Sequence, residues 1–171
     1  MEYLFFYAFG IIAIASGVMV IMSRNPVHSA LFLIVTFFCL AGLFALLNAH
    51  FLAVIQVLVY AGAIMVLFLF VLMLLNLKAI VSEFEKLLSL KILGISAAII
   101  MIFEVLFLIK RGASLGAGGE LTQQIINQEG NTQLVGKMLF TTYLLPFEIT
   151  SIILIIAIIG AVVLAKKKLD E

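Results

Sequence analysis

The chain has 171 residues, 65% of them hydrophobic and 11% charged, with a formal net charge of +1. A mean hydropathy of +1.34 excludes a soluble domain, because no core of this size hides so much apolar surface; the solvent is lipid. The near-neutral charge gives no reason to expect a nucleic-acid partner.

Met1-Glu2-Tyr3 opens the chain without a basic leader region. The first apolar segment, from about Tyr3 to Met22, is therefore expected to stay in place as a span. Ser23 to Val27 contains Pro26, which stops a helix and fixes a turn. A second span follows from about His28 to Leu47. Within it lies Cys39, the only cysteine, so there is no internal disulfide and no iron–sulfur cluster held by this chain alone. His28 and His50 flank the segment roughly 33 Å apart at 1.5 Å per residue, too far to clamp one haem. Asn48 to His50 is a polar turn. Helices joined this tightly are antiparallel neighbours, so the first three spans form a compact unit.

The third span, from about Phe51 to Asn76, has no charged residue. Gln56 and Tyr60 lie four apart and share one face of an α-helix. They either relay hydrogen bonds through water or bond to a neighbouring helix and specify packing. Ala61-Gly62-Ala63 then strips the helix of bulk, and Gly62 weakens it locally and admits a close backbone. This is a helix built to pack tightly and to deform, with polar groups at its soft point.

Lys78 to Lys91 is amphipathic and is expected to lie as a short helix on the membrane surface. A fourth span runs from about Leu90 to Ile109. Gly112 to Thr142 is rich in Gly, Gln, Asn and Thr and reads as a mobile outer loop. A tether of that length lets the fourth and fifth helices stand apart and reach around another subunit. The fifth span runs from about Tyr143 to Ala165. Tyr3, Tyr7 and Tyr143 sit near span ends as interfacial anchors.

The basic residues set the orientation. Arg24, Lys78, Lys86, Lys91, Lys166, Lys167 and Lys168 fall on one side, against Lys110, Arg111 and Lys137 on the other. The richer side is cytoplasmic. The expected fold is an all-α integral membrane protein of five transmembrane helices, in one membrane domain over residues 1–171, N-terminus outside and C-terminus cytoplasmic. No internal repeat suggests a self-sufficient transporter.

Two carboxylates fall within spans, Glu104 and Glu148, each roughly 7–9 Å below the outer boundary. An ionisable residue there marks a pathway or a pair, or sits shallow enough to meet headgroup water. Lys110 and Arg111 lie near Glu104 as partners. Pro146 precedes Glu148 and is expected to free backbone groups beside it. There is no Gly-rich phosphate loop, no paired nucleophile and base, and no metal-ligand spacing, so no cofactor site is expected on this chain.

The run Val57-Leu58-Val59-Tyr60-Ala61-Gly62-Ala63-Ile64-Met65-Val66-Leu67-Phe68 resembles the third-helix signature of subunit J of NADH–quinone oxidoreductase, the bacterial counterpart of mitochondrial complex I chain six. Asn25-Pro26-Val27-His28-Ser29-Ala30 resembles the first cytoplasmic turn of that family. Gly136, Leu139, Phe140, Tyr143, Pro146, Phe147 and Glu148 resemble its entry to the last helix.

The resemblance implies a non-redox membrane-arm subunit of a proton-translocating enzyme, in a bacterial inner membrane. FMN, iron–sulfur clusters and quinone are then carried by other subunits. The implied partners are the quinone-proximal and antiporter-like subunits and the lipid bilayer, with no nucleic acid. It also implies a third helix that gains and loses a π-bulge near Tyr60 and Gly62, gating a hydrated path with Gln56 and Glu148 beside it. Several relatives carry glutamate at the position of Gln56, and a glutamine orients water without exchanging a proton. Two other readings remain at this point: a structural clamp of the same arm, or the related module of a multisubunit cation/proton antiporter or a ferredoxin- or hydrogenase-linked complex.

Overall fold

The computed structural model describes residues 1–75, 88–112, 126 and 128–166, and all regular structure within them is helical. α1 spans Glu2–Met22, with Glu2 in the first turn where the helix dipole favours a negative charge. It ends at Ser23, which turns to an extended backbone while its N–H still donates to the Met19 carbonyl at 3.0 Å. α2 spans Pro26–Leu46. Asn25 caps it: the Val27 N–H donates to Asn25 Oδ1 at 2.9 Å. Pro26 takes the first helical position, where a missing N–H costs nothing. Pro26 thus opens α2 as well as closing off α1, and the helix starts two residues before the expected boundary at His28.

α1 and α2 pack along each other through small and hydroxylated residues. Lipid supplies no hydrophobic drive between helices, so close packing and interhelical hydrogen bonds hold them. The Ser16 and Thr36 hydroxyls share a hydrogen bond at 2.8 Å. The Ser29 hydroxyl donates to the Val20 carbonyl at 2.6 Å. Gly42 lies under the Phe9 ring, where a Cβ would come within 2.8 Å of Cε2.

The turn into the third helix is fixed by Asn48, whose φ of 58° is left-handed, a conformation asparagine tolerates. The Asn48 N–H donates to Ala45 O at 3.1 Å and the Ala49 N–H to Phe44 O at 3.0 Å, which binds this turn to the end of α2. The third helix is one 25-residue rod, His50–Leu74, in three parts. α3 is His50–Ile55, a π-helical segment follows over Gln56–Ile64, and α4 completes it over Met65–Leu74. Ala30 of α2 and Met65 and Leu72 of α4 form a buried cluster, with Val27, Leu33, Ile34, Phe37 and Leu69 packed against it. The first three spans are the expected compact unit.

α5 spans Leu88–Gly112 and covers the expected fourth span. Leu88 to Lys91, expected in the surface helix, belong to α5; the rest of that expected helix lies outside the described residues. α6 spans Asn131–Leu139. The outer segment read from sequence as a loop over Gly112 to Thr142 therefore contains a helix in its described part. Gly130, with φ of 87°, makes the bend that starts it. Leu134 is buried, which gives the helix a packed side. α7 spans Leu144–Ala165 and buries no residue.

Four helices among the described residues are long and apolar enough to cross a membrane: Glu2–Met22, Pro26–Leu46, His50–Leu74 and Leu144–Ala165. They match the expected first, second, third and fifth spans. α5 is helical over the fourth but is not among these four, and its last turn carries Lys110 and Arg111. Arg111 lies over the Phe107 ring, 5.7 Å from its centroid, so its charge is carried back along an apolar surface. α3 packs on α6 and α6 on α7, whereas α5 makes no extended contact with another described helix.

Candidate functional site in the third helix

A π-helical turn closes its hydrogen bond five residues back, one more than an α-helix, and single wide turns of this kind cluster at functional sites. The Met65 N–H bonds to the Tyr60 carbonyl across such a turn. The local sequence explains why it is tolerated here. A Cβ on Gly62 would lie 3.1 Å from the Val57 carbonyl oxygen, five residues back. A side chain there would crowd the wide turn, and glycine leaves the room. Ala61 and Ala63 on either side add little bulk.

The wide turn changes which residues share a face. With α-helical spacing Tyr60 returns over Gln56. In the structure the residue five on does so: Gln56 is 8% exposed and Ala61 4%, while Tyr60 is 45% exposed. The expected pairing of Gln56 and Tyr60 on one face is thus corrected by the π geometry. The buried side of the rod runs Gln56, Ala61, Met65, Leu72. Its first interval is five residues, and the rest fit α-helical spacing. Tyr60 stands at the edge of this face, its ring 5.6 Å from that of Phe37 on α2 and tilted by 59°. Gln56 is one of two buried polar side chains among the described residues, the other being Ser16.

Gln56, Tyr60 and Gly62 therefore fall in one π segment. Glu148 does not join them. It lies exposed in the second turn of α7, which packs on α6, and α6 packs in turn on α3. Its backbone surroundings also differ from expectation. Pro146 is the third residue of α7, where an N–H has no intrahelical partner in any case. The Phe147 N–H donates to Tyr143 O at 3.0 Å, and the Thr150 hydroxyl donates to Pro146 O at 2.8 Å. Pro146 thus starts a helix cleanly instead of freeing groups beside the carboxylate. Glu104 is exposed on α5.

Two placements in this region were not read from sequence. Ala61, noted there for its small size, is visible as part of the buried face only once the five-residue interval is known. Asn131 donates no sequence signal among the many Asn and Gln around it. Its side-chain oxygen accepts the Phe51 N–H at 2.9 Å, across 80 residues of chain.

Comparison with known proteins agrees with the geometry. The family model described as NADH-ubiquinone/plastoquinone oxidoreductase chain 6 matches residues 16–164. NADH-quinone oxidoreductase subunit J of Rickettsia bellii is 38% identical, over 98% of this chain and 82% of the relative. NADH-ubiquinone oxidoreductase chain 6 of Marchantia polymorpha is 39% identical, over 95% and 86% respectively. Subunit J of Rhodobacter capsulatus is 35% identical, over 93% and 79%. With a deformed third helix at the signature run, apolar spans on either side of it and matches over nearly the whole length, the chain belongs to the subunit J/chain 6 family of NADH-quinone oxidoreductase, as a multi-pass membrane subunit.

Proposed function

We propose that this chain is a non-redox subunit of the membrane arm that couples quinone reduction to proton translocation through reversible deformation of its third helix. The observation that carries the reading is the π segment Gln56–Ile64. Closing it to α-helix turns one part of the rod relative to the other by one residue, about 100°. With α3 held, Tyr60, Ile64 and Val71 then take the places of Ala61, Met65 and Leu72 against α2. All the incoming residues but tyrosine are plain hydrocarbon, and the rod is apolar on every side, so neither register buries a charge. A helix with two acceptable packings is a two-state element. The switch exchanges a small alanine for a tyrosine beside Gln56 and so changes the space and the polar groups available to water.

In this reading α5 crosses the bilayer as a fifth span, with the N-terminus outside and the C-terminus cytoplasmic, in a bacterial inner membrane. Quinone-proximal and antiporter-like subunits are the neighbours, and FMN, iron–sulfur clusters and quinone belong to other subunits. Gln56, Tyr60 and Gly62 form the gate, and Glu148 tunes the same path or anchors the last helix.

Gly62→Val tests the gate. The added side chain crowds the Val57 carbonyl in the π form, where a Cβ meets it at 3.1 Å. Overpacking costs about 1–3 kcal/mol, enough to move a balanced helix about ten-fold toward the α form. The expected result in membrane vesicles is an assembled complex whose NADH-driven proton pumping drops by roughly half or more. Wild-type pumping by Gly62→Val sinks the gating idea.

A second reading, a structural clamp without a part in the proton path, draws on the exposure of α7 and its link to the bundle through α6. It separates from the first by one ratio. Substitutions at Tyr60 and Gly62 would then lower the yield of complex and leave pumping per turnover unchanged.

A further inference from the structure

A helix that changes pitch in its middle must turn at one end or the other, and the end that is held decides where the motion appears. The start of the third helix is held twice. The turn Leu47–Ala49 binds it to α2 through the backbone bonds of Asn48 and Ala49. The second hold is unusual. The Phe51 N–H is one of the first-turn donors without an intrahelical acceptor, and the N-cap, Ala49, offers no side-chain oxygen. The acceptor is Asn131 Oδ1, 2.9 Å away, at the first residue of α6. α6 is itself seated: Leu134 is buried, and the helix packs on α3. It continues into α7 through the Tyr143 N–H, which donates to Met138 O at 2.9 Å, and the Phe140 and Phe147 rings meet edge to face at 5.2 Å.

Resting on the gating reading above, we infer that Asn131 is a positioning residue that pins the start of α3, so that closure of the π segment is delivered to α4 and the Met65–Leu72 face. Without this cap α3 shares the rotation. The shift at Met65 and Leu72 shrinks, although Tyr60 and Gly62 are intact. α6 is then the fixed end of the switch, and through Asn131 it acts on the gate from the start of the third helix.

The test uses the intact complex in membrane vesicles, with Asn131→Ala, Asn131→Asp and Gly62→Val side by side. Amide exchange at Phe51 reports the cap, and protons pumped per NADH oxidised report coupling. Asn131→Ala is expected to speed exchange at Phe51 about five-fold, the usual effect of losing a side-chain cap. It should also lower protons per NADH while quinone reduction continues. Asn131→Asp keeps an acceptor and adds a negative charge at a helix N-terminus, so it is expected to restore both readouts. Normal coupling in Asn131→Ala despite faster exchange overturns the inference, and so does a coupling loss that Asn131→Asp fails to restore. Where Asn131→Ala blocks assembly, Asn131→Ser carries the same comparison with its shorter acceptor: intermediate exchange with intermediate coupling supports the pin, and intermediate exchange with full coupling overturns it. A wild-type Gly62→Val instead removes the gating reading itself, whatever Asn131 does.

Discussion

Tyr60 and Gln56 separate two tasks that α-helical spacing would have merged. Gln56 points into the protein and Tyr60 stands at the edge with its ring on Phe37. Tyr60→Phe keeps that ring contact and removes only the hydroxyl. It is expected to leave the yield of complex within error of wild type and to slow proton pumping in vesicles, if the hydroxyl serves the path. Pumping equal to wild type would assign Tyr60 to packing alone. Glu148 stands apart from this turn, with Ser151 Oγ donating to its backbone carbonyl at 2.7 Å. Glu148→Gln removes the charge and keeps the shape. Slower pumping at normal yield is the expected outcome; unchanged pumping and yield would take Glu148 out of the proton path.

Among the helices, α1 and α2 pack along each other, and Gly42 of α2 leaves room for the Phe9 ring of α1. Gly42→Leu is expected to cut the amount of assembled complex severalfold on a blue-native gel, by an overpacking cost of about 1–3 kcal/mol. Adding Phe9→Ala should recover much of it, since the ring is what the new side chain meets. Failure of the double substitution to recover would mean that another contact sets the approach of the two helices. The ends of the spans were legible because Pro26, Asn48 and the long apolar runs act locally. The soft point was legible for the same reason: Ala61-Gly62-Ala63 lacks bulk whatever surrounds it. The face presented to α2 was not, because residue spacing alone shows a five-residue interval as noise; the π turn itself was implied by the family resemblance and is present over Gln56–Ile64. α6 was hidden for a different reason. Its apolar residues, Leu134, Val135, Met138 and Leu139, are too few for a span and follow a long stretch rich in Gly, Gln and Asn, and the partners of Leu134 and Asn131, the latter 80 positions away, cannot be read from the segment itself.

At the scale of the whole molecule, no large side chain is fully buried among the described residues. α7 presents Ile152, Ile153, Leu154 and Ile155 outward in turn. A photo-reactive residue at Leu154 is expected to capture lipid or a neighbouring subunit, and one at Met65 to capture α2 of the same chain while the π segment is in place. Capture of a different subunit from Met65 would mean that α4 turns this residue off α2 in the complex, as closure of the π segment requires. The three-helix unit holds together on its own contacts, but α5 and α7 bury little against the other described residues. A newly made copy awaiting its neighbours therefore displays much of its hydrocarbon to whatever meets it first, including the proteases that survey the bilayer. Its lifetime before incorporation should be short and its lifetime afterwards long. The cellular amount of this chain should then follow the supply of its partners more closely than the rate of its own synthesis.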